Sequence, residues 1–351
     1  MMLVVSGPVG GGEHDGGDHP ERPARMRAVK AGIDDLHLGD DLQVVEPLDP
    51  EMAQLAQVHH LSYLEELAAF CQAGGGHLDP DTFARADSWV AARRAAGAGL
   101  AAVEALRQGV GDIGFVAARP PGHHALADRA MGFCLLNNVA ISAATLAAEG
   151  ERVLIVDWDV HHGNGTQSIF WDDPRVLYVS THQSPLFPGS GAAREIGGQG
   201  AMGRTVNIPL PAKATGDVVR QAIEEVASPV IDQFAPTWVL VSAGFDGHRD
   251  DPLADLGLSS GDFADLARMV LGLAPRPGRT VLFLEGGYDL TALRVSVATT
   301  LGALLGGIYQ PEDPTYGGPG SELVDTAKDE RVQALRLASE LGPDVEGVPW
   351  P

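Results

Sequence analysis

Cysteine is nearly absent from this sequence: Cys71 and Cys134 are the two in 351 residues. Two thiols cannot build a disulfide framework, and neither sits at a metal-binding spacing, so the fold must rest on its core. Cys134, within GFCLLNN, reads as a small buried filler. Basic residues are scarce too, with 24 Lys and Arg against 47 Asp and Glu for a formal charge of -23. That balance excludes an extended nucleic-acid surface, which needs a basic patch to displace counterions from phosphate. An acidic surface chiefly keeps a chain in solution, and it also favours cationic substrates. No apolar run approaches the ~20 residues of a membrane span, and MMLVVSGPVG lacks the basic segment that opens a signal peptide. The expectation is a cytoplasmic protein that engages neither membrane nor nucleic acid.

What the chain does have is a regular alternation. Short β-branched runs recur at 3–5, 43–45, 113–118, 153–156, 176–180, 205–208, 238–242 and 280–284. Helical patterns lie between most of them, among them stretches beginning at Asp49, Ser88, Asn137, Thr215 and Ser259. Strands apolar on both faces that alternate with helices imply an α/β fold with a mostly parallel sheet covered on both sides. No linker, repeat or low-complexity tract interrupts residues 1–351, so a single domain is expected, closed by a segment over 307–351 that carries a helix after about residue 322. The Gly- and Pro-rich stretches 185–205 and 309–321 read as ordered connections or lids.

In open α/β sheets, ligands bind beyond the carboxyl ends of the strands. Four runs end in unusual polar groups there: IGFVAA leads into RPPGHH, VLIV into DWDVHH, WVLVSAG into FDGH, and TVLFL into EGGY. In an extended DWDVHH, Asp157, Asp159 and His161 fall on one side, and Trp158, Val160 and His162 on the other. Asp159 and His161, joined by Asp246 from a distant strand end, make an open nitrogen and oxygen site suited to zinc or another divalent ion. Asp157 reads as a supporting group. His123 and His124 supply a base for an activated water and an acid for a leaving amine. Tyr288, on a glycine-hinged turn, brings a phenol able to donate to an oxyanion. Taken one at a time, each motif is weak, since a D-x-H or an HH pair is more often a satisfied loop.

Two glycine- or histidine-rich stretches near the N-terminus fit other chemistries less well. GPVGGG does not match G-x-G-x-x-G and opens no helix, so it is not a nucleotide loop. HDGGDH, at 14–19, reads as a loop at the rim of the site.

The ordered set HPERPAR, RPPGHHA, GFCLLNN, DWDVHHGNGTQ, FPGSG, NIPL, SAGFD, DPL and LEGGYDL resembles the zinc-dependent histone deacetylase family, over about residues 19–306. That family includes bacterial histone deacetylase-like amidohydrolases and acetylpolyamine amidohydrolases. The resemblance implies the arginase/deacetylase fold, an eight-stranded parallel sheet, and hydrolysis of an acylated amine with one zinc ion per chain. It implies Asp159, His161 and Asp246 as zinc ligands, His123 and His124 as the acid/base pair, and Tyr288 as the group that polarises the carbonyl. It further implies Gly132 as a backbone acceptor for the substrate amide and Phe133 and Phe187 as tunnel walls. Asp81 aligns with a rim acid, and Arg25 with an arginine lining an internal acetate channel. One structural potassium site maps to Asp157, Asp159, His161, Ser180 and Thr181, and a second to Phe170, Asp173, Val176 and Val206.

Departures from the family pattern place the chain within it. Asn164 stands where class I members carry Asp, a class II-like feature that makes the second histidine's partner neutral. Leu253 stands where polyamine-selective members can present a glutamate, which tilts the substrate toward N6-acetyl-lysine in peptides or proteins, with an acetylpolyamine as the alternative. An arginase-like binuclear centre would want another acid where Gly163 stands. A binding module without turnover would have lost a ligand or the tyrosine. Iron in place of zinc and a homo-oligomer are both compatible with the sequence.

Overall fold

The β-branched runs lie side by side in the computed structural model of the protein, which describes residues 1–7, 13–307 and 309–341. Its strands are β1 (Leu3–Ser6), β2 (Leu42–Val45), β3 (Gly75–His77), β4 (Phe83–Arg85), β5 (Ile113–Val116), β6 (Val153–Asp157), β7 (Val176–Gln183), β8 (Thr205–Leu210), β9 (Trp238–Ala243) and β10 (Thr280–Leu284). Eight of them form one parallel sheet in the order β2-β1-β5-β10-β9-β6-β7-β8, while β3 and β4 pair separately as an antiparallel ribbon.

Alternation along each strand fills both faces, as the expected fold requires. Leu3, Val5, Leu154, Val156, Leu282 and Leu284 enter one core with the helices Ala24–Asp34, Ser260–Leu273 and Leu290–Leu304. Val4, Val153, Ile155, Val281 and Phe283 enter the other, under the helices Leu61–Gln72, Ser88–Arg107 and Asn138–Ala148. The terminal helix Ser321–Leu341 lies against β8, where Arg331 donates to the carbonyls of Thr205 and Gly203 and so covers the sheet edge.

One helical expectation needs refining and one needs correction. The stretch from Thr215 is helical throughout, as Gly216–Ala222, a wide π turn over Ile223–Ala227, and Ser228–Phe234. Pro229 has no N–H to give the preceding turn and its ring crowds the carbonyl four residues back, so the helix widens just before it. The stretch from Asp49 holds only the single turn Met52–Leu55, closed by a capping box between Glu51 and Gln54. The stretches 185–205 and 309–321 are irregular and tied down: Thr315 donates through its N–H and its hydroxyl to the buried Asp262. Most of GPVGGG, and residues 342–351, lie outside the described residues.

The order of strands matters most for the site. β5, β10, β9 and β6 are consecutive in the middle of the sheet. Their carboxyl ends therefore bring RPPGHH, EGGY, FDGH and DWDVHH to one place.

Candidate active site

β6 ends at Asp157, and the chain then leaves the sheet. Trp158 and Val160 drop into the core, while Asp159 and His161 converge with Asp246 from beyond β9. The Nδ1 of His161 lies 3.2 Å from Asp159 Oδ1 and 3.2 Å from Asp246 Oδ2. One donor atom from each of the three lies within 4.8 Å of the others. The remaining oxygens are held by backbone: Gly286 N–H donates to Asp159 Oδ2 at 2.8 Å, and Val160 N–H to Asp246 Oδ1 at 3.1 Å. A Cβ at Gly286 would lie 1.9 Å from Asp246 Oδ2, so only glycine permits this approach. Burial and the adjacent Asp159 push Asp246 up to about 7. Burial opposes charge on His161 as well, but the two carboxylates outweigh it and push the imidazole up to about 10. Two buried carboxylates and an imidazole nitrogen converging on one point fit a divalent cation such as zinc.

The tandem histidines follow β5 and face unlike partners. His123 Nδ1 is 3.1 Å from Asp157 Oδ2, and the same oxygen accepts from the Tyr178 hydroxyl at 3.0 Å. Asp157 thus supports His123 and stands outside the triad. His124 Nδ1 is 2.7 Å from Asn164 Oδ1. Burial disfavours the charged form of both rings, but Asp159 and Asp157 push His123 up to about 10. Burial, with repulsion from His123 and His161, holds His124 well below the usual histidine range. Split titration of adjacent groups is the mark of divided proton roles.

A cavity of about 210 Å³ opens above these groups, lined among others by His123, His124, His161, Phe133, Phe187 and Tyr288. The Phe187 ring meets His124 edge-on at 5.1 Å, and Phe133 meets Tyr288 edge-on at 5.7 Å. Gly132 lies between, with φ +54, where a Cβ would sit 2.5 Å from His124 and 3.0 Å from Phe187. Leu253 and Asp81 complete the mouth. Asp81 accepts from the Thr82 hydroxyl, which itself accepts from Phe133 N–H, so the rim is joined to the tunnel wall. From HDGGDH, His19 reaches this rim, edge-on to Phe133 at 4.6 Å, while His14 is buried against Ser88. A larger hollow of about 470 Å³ lies at the opposite ends of the strands, lined by Met2, Asp112, Arg107, Arg276 and Arg279 among others. It gathers no converging ligand set, so the chemistry belongs to the smaller cavity.

Arg25 is fully buried beneath the EGGY turn, donating to the carbonyls of Gly287 and Glu285 and pairing with Glu21. Ser180 is the register partner of Asp157 across β6 and β7, and Thr181 follows it, both buried. Phe170, Asp173 and Val176 share one turn, closed by Asp173 N–H to Phe170 O and Val176 N–H to Asp173 O. Val206 pairs with Val179, farther along β7 from that turn. Cys134 is buried with its thiol toward the Gly132 carbonyl, as a filler would be.

Sequence reasoning passed over Glu285. Its carboxylate is buried, accepts the N–H groups of Gly122 and His123, and receives the Ser242 hydroxyl. It anchors the segment that carries both histidines. A glutamate ending the apolar TVLFL run was the available signal.

Comparison with known proteins agrees with this geometry. The family model described as "Histone deacetylase domain" matches residues 19–304. A probable deacetylase of Archaeoglobus fulgidus is 37% identical over 306 residues, covering 84% of this chain and 85% of that protein. A histone deacetylase-like amidohydrolase of Pseudomonas aeruginosa is 39% identical over 276 residues, covering 77% of this chain and 73% of that protein. The crystal structure of the HDA15 HD domain is similar with a TM-score of 0.84 at 32% identity, covering 98% of this chain and 99% of that one. The chain therefore belongs to the histone deacetylase family of amidohydrolases.

Proposed function

We propose that the protein is a zinc-dependent deacetylase that hydrolyses N6-acetyl-lysine in peptides or proteins and releases acetate. The observation that carries this reading is the convergence of the Asp159, His161 and Asp246 triad, the two unlike histidines and Tyr288 on one aromatic-walled cavity. Bound by the triad, zinc would supply Lewis-acid polarisation of the amide carbonyl and acidify a neighbouring water.

The chain's own groups then have the following work. Phe133 and Phe187 flank the acyl-lysine stem and exclude water, and the Gly132 carbonyl accepts the substrate N–H. His124, whose Nδ1–H is engaged by the neutral Asn164, presents Nε2 as a free lone pair and takes the water's proton. His123, held by Asp157, keeps a positive charge beside the reacting centre. Tyr288 donates its hydroxyl to the developing oxyanion. The proton taken by His124 then passes to the leaving lysine amine. Arg25 lines the path for acetate, Asp81 binds substrate backbone at the rim, and potassium ions sit beside Ser180 on β7 and in the Asp173 turn in a structural role.

Leu253 at the mouth favours the lysine reading, because an aliphatic side chain gives a remote ammonium nothing to pair with. The acidic chain supports the alternative, an acetylpolyamine substrate. A panel of acyl-lysine peptides, N-acetylputrescine and N8-acetylspermidine, assayed with and without chelator, separates them. Acetyl-lysine turnover that chelation abolishes and zinc restores is expected. Hydrolysis of neither class by the zinc-restored protein refutes the reading.

A further inference from the structure

Tyr288 sits on a turn whose two preceding residues are glycines, so no side chain just before it fixes the phenol. Phe133 edge-on and the Arg25 guanidinium, 5.0 Å from the ring centroid, brace the ring itself, and backbone hydrogen bonds fix the turn that carries it. Glu285 N–H donates to Ala243 O at 3.2 Å, Gly286 N–H to Asp159 Oδ2 at 2.8 Å, and Phe245 N–H to Gly286 O at 3.0 Å. From below, Arg25 takes up the carbonyls of Glu285 and Gly287. On the other side stands Asp251, buried and contributing nothing to the triad. Its Oδ2 accepts Tyr288 N–H at 2.7 Å and Asp289 N–H at 3.3 Å, and its Oδ1 accepts Leu253 N–H at 3.0 Å.

We propose that Asp251 is a positioning residue for Tyr288: by accepting the N–H groups of Tyr288, Asp289 and Leu253, it fixes the phenol over the cavity and locks the rim residue to it. The carboxylate suits the task because its two oxygens, with about four lone-pair sites, can serve three donors at once. A partly buried N–H left without a partner would draw the turn toward other acceptors or water. The glycines would let it go, since Gly287 already holds φ +120. Displacing a reacting group by about 1 Å costs roughly 100-fold in rate.

The test rests on the deacetylase reading and is read in two ways. In turnover, Asp251→Ala should lower kcat roughly 100-fold with KM changed less than about threefold, as expected for a loss confined to the transition state. Asp251→Asn, which keeps one oxygen for Tyr288 and Asp289, should recover most of that loss. On a Tyr288→Phe background, Asp251→Ala should add nothing. Where the alanine variant does not fold, Asp251→Glu, which displaces the oxygens by a methylene, carries the same cycle. Independently of turnover, hydrogen exchange at the Tyr288 and Asp289 amides should be slow in the wild type and fast in the variant, with zinc content unchanged. An effect that persists in full on the Tyr288→Phe background, or amides that exchange alike in both proteins, overturns the proposal. An inactive wild type with protected amides instead tells against the reaction and leaves the positioning role standing.

Discussion

His124 Nδ1 lies 2.7 Å from Asn164 Oδ1. The Asn164 amide nitrogen is turned to Met131 Sδ and its oxygen faces the ring, an arrangement that pairs with a proton on His124 Nδ1. That leaves Nε2 with a lone pair. His123, one residue earlier and with ring centroids 4.1 Å apart, faces the Asp157 carboxylate instead and is raised by Asp159 and Asp157, whereas burial and repulsion from His123 and His161 lower His124.

Replacing Asn164 by Leu removes the acceptor from a buried N–H. Leaving the donor unpaired costs about 1–3 kcal/mol, and the ring can escape by moving its proton to Nε2, which removes the lone pair the reaction needs. The expected outcome is a lower melting temperature with kcat down about 10- to 100-fold, whereas Asn164→Asp, which restores an acceptor, folds as the wild type does. Full activity in the leucine variant would show that the tautomer of His124 is irrelevant.

Gly132→Ala tests the shape of the tunnel floor. The residue holds φ +54, and a Cβ there meets His124 at 2.5 Å and Phe187 at 3.0 Å. Left-handed backbone costs a non-glycine residue about 1–2 kcal/mol, which a domain with this much buried core tolerates. The clash falls on the His124 ring and the Phe187 wall together. Steady-state kinetics should show kcat/KM reduced at least roughly 100-fold in a protein that still unfolds cooperatively; a loss of less than about tenfold would mean that the ring and the wall yield together.

The triad was legible because its parts are local or end strands: Asp159 and His161 are two apart, and Asp246 stands where an apolar run stops. The two core faces were legible from alternation alone. What escaped was set by contacts far apart in the chain. Glu285 reaches Gly122 and His123, and Asp251 reaches Tyr288, across loops whose register no periodicity reports. Pro229 was visible, yet the helical period on both sides of it masked the π turn. Glu21 lay in the quoted HPERPAR, but its place between Arg25 and Arg119 in a buried ion cluster appears only once the chain leading into the helix Ala24–Asp34 meets the segment beyond β5 that carries Arg119.

Glu312 offers a pH-dependent test away from the site. Burial works against its charge, but hydrogen bonds from His248 and Ser260 outweigh it and hold the carboxyl at about 2 against an ordinary 4.5. A folded value below the unfolded one means the stabilisation is present above pH 4.5 and is lost as pH falls toward 2. The side chain is 24% exposed and pairs at the surface, so solvent screening limits it to about 1 kcal/mol. Glu312→Gln should therefore unfold at lower temperature than the wild type near neutral pH. The gap should close on acidification below 4.5. A gap that is the same at every pH would mean the contact is steric.

Leu253→Glu asks whether the mouth selects between substrates. Leu253 lines the cavity beside Asp81 and Tyr288, and its backbone N–H is held by Asp251, so the residue presents a fixed position. A carboxylate about 4 Å from a substrate ammonium gains about 4 kcal/mol at an effective dielectric near 20. Partial desolvation of both charges takes back most of this, leaving on the order of 1–2 kcal/mol, or about tenfold in binding. The ratio of kcat/KM for N8-acetylspermidine to that for an acetyl-lysine peptide should rise about tenfold, and the gain should shrink as salt is raised through the range where exposed charges are screened. A neutral side chain of similar length, Leu253→Gln, should leave the ratio near its starting value, because the gain comes from charge and not from size. If glutamate and glutamine move the ratio equally, Leu253 acts by shape alone and the mouth does not read charge.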